Sequence, residues 1–329
     1  MLRTGRRGFM IGSLCMLAAC DRAPRTQMFA NDTHPRDYPT VRAVEYFGDL
    51  IERRSNGRLS IKMFAGGQLG SERDTLEITA FGGLDINRVN IAPLNAIEPM
   101  TMILSLPFLF DSIEHSRRAF DGPPGQAILQ SLTRHGLIGL CYYDSGARSF
   151  YNTYGPVRTP GDMRGRKYRV QNSDLYVGTV NALGADATPM ALGEIYQGLV
   201  QGVIDGAENN WPTYQSERHF EVAPYYSETQ HVMAPEVLLM SKIRWDKLSR
   251  ADQEIIMESA RESVPYMRRL WDARVVAARR AVLAAGAKVN EVDHKAFQDK
   301  TRPLWDRFVT TGRERDLVRQ IQAMGGADA

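Results

Sequence analysis

The chain has 329 residues, 43% of them apolar and 24% charged, and its formal net charge is +3. This length allows two domains with full hydrophobic cores, and the composition excludes a disordered or low-complexity protein. The charge excess is local, because Arg3, Arg6 and Arg7 account for all of it and no acid precedes Cys20. The remainder is neutral on balance, so we expect no nucleic acid as a partner.

The chain opens with a predicted export signal at residues 1–19. Its arginines precede an apolar run, residues 9–19, that is too short to span a bilayer as a helix. The run ends in L-A-A-C, which looks like a bacterial lipobox in which Cys20 is acylated and becomes the mature N-terminus. The R-R-G-F-M at residues 6–10 resembles a twin-arginine motif, but an ordinary basic region explains it equally well. Export by the Sec or the twin-arginine route therefore stays open, and residues 20–28 form a polar tether.

The cysteines agree with an exported protein that lacks disulfides. Cys15 leaves with the signal and Cys20 would carry lipid, which leaves Cys141 without a partner for an intramolecular disulfide. Its context, L-I-G-L-C-Y-Y, is typical of a buried strand. We expect Cys141 to be a core residue rather than a nucleophile.

Helices and strands then alternate along the chain. The predicted helices cover residues 41–54 and 71–81, and the predicted strands cover residues 59–64, 84–87, 137–143 and 167–170. Turn residues such as S-N-G at 55–57 and A-G-G-Q-L-G at 65–70 separate them. This order predicts an α/β fold with mainly parallel strand pairing.

The C-terminal third is predicted to be mostly helical. A capping-box-like start at Ser249 opens a periodic pattern that continues to Gly286. A helix of that length, about 57 Å, is longer than one small domain and must run along two. Pro265 lies inside it and predicts a kink. A strand over residues 288–292 and one further helix over residues 297–308 follow.

The strongest candidates for ligand binding are an arginine and an asparagine. Arg169 lies in G-R-K-Y-R-V-Q-N-S, residues 165–173, and Asn209 lies in D-G-A-E-N-N-W, residues 205–211. We expect one strand–helix–strand unit to present both side chains. A guanidinium held on a strand is a rigid fork for a planar carboxylate, and an asparagine adds a neutral donor and acceptor. The pair predicts a protein that holds a small organic acid.

A set of motifs in a specific order supports this reading. The motifs are S-N-G-R-L-S-I-K-M-F-A-G-G-Q-L-G-S-E (55–72), G-G-L-D-I (82–86), L-P-F-L-F (106–110), G-A-R-S-F-Y-N (146–152), M-R-G-R-K-Y-R-V-Q-N-S (163–173) and V-I-D-G-A-E-N-N (203–210). In order and spacing, over nearly the whole mature chain, they resemble the DctP-type solute-binding proteins of tripartite ATP-independent periplasmic (TRAP) transporters.

The resemblance implies a two-lobed, periplasmic-binding-protein-like α/β fold with hinge strands, one long helix across both lobes, and ligand in the cleft. Lobe I would comprise residues 29–147 plus 235–272, and lobe II residues 148–234 plus 273–325. The resemblance also implies a small organic acid as ligand, no cofactor or metal, and the small and large integral membrane subunits as partners. The lipobox adds a lipid tether to the membrane.

The resemblance also assigns roles to three residues. Arg169 stands where the family keeps its carboxylate-pairing arginine, Arg148 matches a second arginine near that carboxylate, and Asn209 matches a cleft asparagine. This chain departs from the family where an acid–proline pair usually follows D-G-x-E, because Asn209 and Asn210 stand there and proline is delayed to Pro212.

Polar residues around these positions extend the candidate site. Gln171 is two residues from Arg169 on the strand and faces the same way, and with Asn172 it could contact polar ligand groups. Glu72 begins a helix, where it either complements the helix dipole or faces the cleft. In the cleft it would accept hydrogen bonds from ligand hydroxyls and reject a second ligand carboxylate.

Two further polar positions have open alternatives. His34, in N-D-T-H-P, either reaches ligand hydroxyls or is a solvated loop histidine. Asn90 adds a polar group at the end of a strand.

The polar character of this set favours a sugar acid as ligand. We expect a hexuronate such as D-glucuronate or D-galacturonate, or an aldonate or aldarate; the E-N-N-W-P-T-Y variant at residues 208–214 also looks like family members that bind sugar acids. Alternatives within the family are a C4-dicarboxylate and an aromatic or keto acid. A ligand-sensing module and a periplasmic carbohydrate hydrolase are alternatives of a different class. No enzyme is expected, since H-E-x-x-H, G-x-S-x-G and phosphate-loop motifs are missing from the sequence.

Overall fold

The computed structural model describes residues 25–326, so the predicted signal and the lipobox Cys20 lie outside the described residues. The strands are β1 (Thr26–Asn31), β2 (Leu59–Phe64), β3 (Ile86–Asn90), β4 (Leu137–Tyr143), β5 (Arg148–Asn152), β6 (Lys167–Val170), β7 (Asp186–Pro189), β8 (Gly206–Asn209), β9 (Tyr225–Val232), β10 (Glu236–Ser241) and β11 (Lys288–Asn290). The helices are α1 (Pro39–Arg54), α2 (Glu72–Ala80), α3 (Ile113–Asp121), α4 (Pro123–Ser131), α5 (Asp174–Ala182), α6 (Ile195–Val200), α7 (Trp211–Ser216), α8 (Lys242–Trp245), α9 (Arg250–Ala284), α10 (His294–Thr301), α11 (Pro303–Phe308) and α12 (Gly312–Ala323).

The strands form two sheets, one in each of two α/β lobes. The first sheet has the order β2-β1-β3-β10-β4 and the second the order β11-β9-β5-β8-β6-β7. In each sheet one strand runs antiparallel to both of its neighbours, β10 in the first and β5 in the second. The chain enters β10 directly from the second sheet and β5 directly from the first sheet, so each of these strands runs opposite to its neighbours. The other strand pairs are parallel, so the predicted α/β fold is confirmed.

Two short crossings connect the lobes. Residues 144–147 lead from β4 into β5, and residues 233–235 lead from β9 into β10. At Gly146 the backbone is left-handed, with φ +62°, and a Cβ atom there would lie 3.1 Å from Nε1 of Trp271. Glycine therefore lets the first crossing pass close to the α9 tryptophan.

The long helix α9 is the third connection between the lobes. Ser249 caps it by accepting a hydrogen bond from the Asp252 backbone N–H at 3.1 Å. Along one half, Ile256, Val264, Met267 and Trp271 join the core formed by α1 and the first sheet. Farther along, Ala278 and Val282 pack into the core around Trp211 and Tyr214. The helix is continuous through Pro265, and the predicted kink stays a prediction.

Two predictions about local structure were wrong. Residues 297–308 form two helices, because Pro303 has no N–H to donate and begins α11 after α10 has ended at Thr301. Between β6 and β8 the chain forms α5, β7 and α6 instead of a single helix. The strands β6 and β8 are nevertheless parallel neighbours, with Tyr168 opposite Gly206.

The described part of the chain bears on the predictions for Cys141 and for the lobes, and on membrane-spanning helices. Cys141 is a buried β4 residue, as predicted, and burial raises the pKa of its thiol to about 12. Among residues 25–326 no helix has the length and apolar character to cross a membrane. The lobe boundaries stay a prediction; α12, which falls within predicted lobe II, packs against α4.

Candidate functional site

The lobes enclose a small chamber that is lined from both sides. Its lining residues are His34, Glu72, Asn90, Arg148, Arg169, Gln171, Leu192, Asn209, Thr213 and Glu236, and its volume is ≈ 30 Å³. An outer cavity of ≈ 410 Å³ shares four of these residues, namely Glu72, Arg169, Gln171 and Leu192. The structure thus brings seven of the eight sequence-predicted binding residues together in the chamber. The eighth, Asn172, is exposed and lines the outer cavity.

Arg169 projects from β6 into both cavities. Its side chain is 4% exposed, and its Nε donates a hydrogen bond to the Met190 carbonyl at 2.8 Å. No carboxylate of residues 25–326 lies within ion-pair distance of its guanidinium, whereas Arg88 has three carboxylate partners and Arg148 has one. Burial therefore lowers the pKa of Arg169 below its ordinary value. A buried guanidinium without a counter-charge is costly, so this site favours an anionic ligand.

Two amide groups add hydrogen-bond donors near Arg169. The Nε2 atom of Gln171 is buried and has no hydrogen-bond partner in the described structure. Asn209 Oδ1 accepts hydrogen bonds from Arg148 Nη1 at 3.0 Å and from the Asn210 backbone at 2.9 Å. These bonds fix the amide so that its nitrogen is free for a ligand. Together these groups can bind a carboxylate and its neighbouring oxygens.

Arg148 is already paired within the protein. Its Nε donates to Glu208 Oε2 at 2.5 Å and its Nη2 donates to Glu208 Oε1 at 2.8 Å. The pair spans the neighbouring strands β5 and β8, and the Glu208 carboxylate raises the pKa of Arg148 against the effect of burial. Arg148 lines the chamber, but its main contribution is to orient Asn209 rather than to supply an uncompensated charge.

Sequence reasoning missed a third arginine, Arg88, in the middle of β3. Its side chain is fully buried, and its guanidinium pairs with Asp32, with Glu72 at 2.8 Å and with Glu236 at 2.6 Å. The available signal in the sequence was an arginine between the apolar residues Ile86 and Val89 at the end of a predicted strand. Its partners come from distant parts of the sequence, so only the fold identifies them.

Glu72 faces the chamber rather than serving as a helix cap. Ser71 and Asp74 form the capping box of α2, while Glu72 Oε1 accepts hydrogen bonds from Arg88 and from the Asn90 backbone N–H at 3.0 Å. Burial, together with the nearby Glu236 carboxylate, raises the pKa of Glu72 although Arg88 opposes this. For Glu236, burial raises the pKa, but Arg88, His34 and the hydrogen bonds from Asn90 and Ser145 together bring it below its ordinary value.

The other two predicted residues are held in place by the protein. His34 is buried and stacks on Tyr38 with a ring separation of 3.9 Å, so it is not a solvated loop residue. Its Nδ1 lies 2.7 Å from Arg88 Nη2. Asn90 donates to Glu236 Oε1 at 3.0 Å and accepts from the Ala92 N–H at 3.1 Å. Both residues therefore shape the chamber wall around Arg88.

Asn210, at the departure from the family pattern, has a structural role. It caps α7 by accepting a hydrogen bond from the Thr213 N–H at 2.8 Å, and it donates to the Ser145 carbonyl at 2.8 Å. It thus ties α7 to the first crossing between the lobes, and Pro212 occupies the first turn of that helix.

A family comparison matches this architecture. The family of bacterial extracellular solute-binding proteins, family 7 (DctP), matches residues 30–311. The chain belongs to this family. The resemblance found in the sequence is thereby confirmed, and the chamber between the two lobes is that of a TRAP solute-binding protein.

Solved structures of TRAP periplasmic solute-binding proteins are similar over nearly the whole chain. One from Bradyrhizobium sp. BTAi1, in complex with α/β-D-galacturonate, is 47% identical with a TM-score of 0.90, covering 91% of this chain and 100% of that one. One from Xanthobacter autotrophicus Py2, with bound β-D-galacturonate, is 46% identical with a TM-score of 0.89, covering 90% and 99%. One from Chromohalobacter salexigens DSM 3043, with bound D-glucuronate, is 42% identical with a TM-score of 0.87, covering 90% and 99%.

Proposed function

We propose that this TRAP solute-binding protein captures a hexuronate, D-galacturonate or D-glucuronate, and delivers it unchanged to the integral membrane subunits. The observation that carries the proposal is Arg169, a buried guanidinium in the interlobe chamber without a carboxylate partner in the described chain. The bound acids of the similar structures support the same ligand class.

In the proposed complex the ligand carboxylate pairs with Arg169. Gln171 and Asn209 donate further hydrogen bonds to the same end of the ligand. The Nε2 atom of Gln171 has no partner among the described residues, and Asn209 is oriented by the hydrogen bond that its oxygen accepts from Arg148. The acidic side chains of the opposite wall, Glu72 and Glu236, are acceptors for sugar hydroxyls. A ligand bound in this way contacts both lobes and stabilises the closed state.

Entry of the ligand requires the lobes to separate. The chamber of ≈ 30 Å³ holds about one water molecule and is far smaller than a sugar acid. The crossings at residues 144–147 and 233–235 are the positions where hinge motion would occur, and closure would present a different surface to the membrane subunits.

The proposal places the protein in the periplasm, tethered through lipid on Cys20. The L-A-A-C sequence supports the tether. Fractionation of cells that express the wild type and Cys20→Ser tests it: the wild type should be found with membranes, and a wild type found only in the soluble fraction would contradict the tether.

Calorimetric titration of the mature protein tests the function. D-galacturonate and D-glucuronate should bind, while neutral D-galactose should bind far more weakly, and the ligand recovered from the complex should be chemically unchanged. Absence of binding by both uronates, or conversion of the bound acid, would overturn the proposal.

A further inference from the structure

The chamber wall opposite Arg169 carries an unusual excess of acid. Arg88 Nη1 donates to both Glu72 Oε1, at 2.8 Å, and Glu236 Oε2, at 2.6 Å, so two carboxylates share one nitrogen. The other side of the same guanidinium is paired with Asp32. One buried arginine therefore faces three carboxylates, and its charge does not balance theirs.

The remaining charges of the chamber do not offset this excess. Arg148 is neutralised by Glu208, which leaves Arg169 as the cation available to a ligand. When the chamber residues are counted with their ion-pair partners, three arginines face four carboxylates; these are Arg88, Arg148 and Arg169, and Asp32, Glu72, Glu208 and Glu236. One ligand carboxylate can be accommodated at Arg169, but a second one would approach Glu72 and Glu236 without a free cation in the described wall.

Glu72 is the member of this acidic wall best placed to respond to the ligand. Its side chain is 18% exposed, compared with 5% for Glu236 and 0% for Asp32, and it also lines the outer cavity. The charged or titratable groups that face it are Arg88 on β3, Glu236 on β10, His34 after β1 and Arg169 on β6. Two carboxylates that share a site cannot both ionise freely, so one of them binds a proton more readily.

We propose that Glu72, held beside Glu236 by Arg88, makes the site select sugar acids with one carboxylate and reject aldarates, and that protonation of Glu72 relaxes this rejection. The inference rests on the proposed hexuronate function and narrows it. An aldarate such as galactarate has a second carboxylate in place of the C1 aldehyde of D-galacturonate, and ionised Glu72 repels this carboxylate. The burial and the raised pKa of Glu72 agree with its being the titrating group.

The test compares D-galacturonate and galactarate by calorimetry at pH 8 and pH 5.5, with wild type and Glu72→Gln. The amide keeps the acceptor for Arg88 and for the Asn90 N–H but removes the charge. Wild type should prefer galacturonate at pH 8, and acidification should narrow the preference. In Glu72→Gln the ratio of the affinities for galacturonate and galactarate should fall by about tenfold, which is the effect of an interaction that shifts a pKa by one unit. This ratio should also no longer depend on pH.

Two control variants test whether the effect comes from Glu72 itself, rather than from any carboxylate of the helix or from titration of His34. Glu77→Gln removes a carboxylate from the same helix, where Glu77 is 61% exposed and 3.6 Å from Arg73, and should leave the preference unchanged. In His34→Gln the pH dependence should remain, because it is assigned to Glu72. The wild-type pH series itself tests the inference even if a variant folds poorly.

The outcomes distinguish this inference from the proposed function. Two results overturn the selectivity alone. One is uronate binding in which wild type and Glu72→Gln prefer galacturonate over galactarate to the same extent. The other is a pH dependence of this preference that is lost in His34→Gln but kept in Glu72→Gln. A wild type that binds no uronate overturns the proposed function and the selectivity together.

Discussion

Arg148 and Glu208 form a buried ion pair with two parallel hydrogen bonds, of 2.5 and 2.8 Å, across strands β5 and β8. Arg169, on the next strand of the same sheet, has no such partner in the described chain. The two arginines that the resemblance places near the ligand carboxylate therefore differ in charge balance. Arg148 stabilises the architecture of the chamber, and Arg169 is available to the ligand.

Loss of the charge at Glu208 should destabilise the protein strongly. In Glu208→Gln the guanidinium of Arg148 stays buried without a counter-charge, so we expect the free energy of unfolding to fall by about 3 kcal/mol. Glu221→Gln is the control, because Glu221 pairs with the exposed Arg218 on the surface. Urea denaturation measures both variants, and equal stability of the two would contradict the structural role of the pair.

Acid should destabilise the protein through two buried histidines. Burial, with repulsion from Arg148 for His231 and from Arg169 for His219, lowers the pKa of each to about 3. The unfolded chain then binds more protons than the folded one between the ordinary histidine pKa, about 6.5, and pH 3. The contribution of the neutral histidines to the free energy of unfolding is fully present above pH 6.5. It is lost as the pH falls, by up to about 1.4 kcal/mol per pH unit for each histidine.

Urea denaturation at pH 7 and pH 5 measures this loss. His231→Gln should flatten the pH dependence because it removes one of the two groups. A variant that loses stability on acidification as steeply as the wild type would show that His231 is not a source of the effect.

Replacement of Gly146 by alanine should destabilise the protein more than the same replacement at a comparable glycine, Gly165. Gly146 and Gly165 have similar left-handed backbones, with φ +62° and +69°, but only Gly146 has a close neighbour, Nε1 of Trp271. Alanine at either position costs about 1 kcal/mol of backbone strain. Gly146→Ala should lose more, because its Cβ atom pushes the crossing away from α9. Equal losses in chemical denaturation would show that Trp271 does not constrain the crossing.

The parts of the fold that sequence reasoning predicted correctly depend on local signals. The bounds of β2 and β4 follow from an alternating pattern and from an apolar run between turn residues, and Ser71 and Ser249 are helix caps as their side chains predicted. The single helix predicted over residues 297–308 was wrong because Pro303 begins a new helix inside this range.

The candidate site was predictable to the extent that a motif or a strand marks each residue. Arg169, Gln171 and Asn209 lie in such motifs and reach the same chamber. The wall around Arg88 was not predictable, because its partners Asp32 and Glu236 are 56 and 148 positions away in the chain. Contacts of that range depend on the sheet order, in which β10 returns from the other lobe to pair with β3.

The most direct test of the account is calorimetry of wild type and Arg169→Ala with D-galacturonate and with its neutral methyl ester. The wild type should bind the acid much more tightly than the ester. In Arg169→Ala the affinity for the acid should fall at least about tenfold, since a buried charge-assisted hydrogen bond contributes more than the 1.4 kcal/mol this requires, and the preference for the acid should disappear. An Arg169→Ala protein that still prefers the acid to the ester would contradict the assignment of the carboxylate to Arg169.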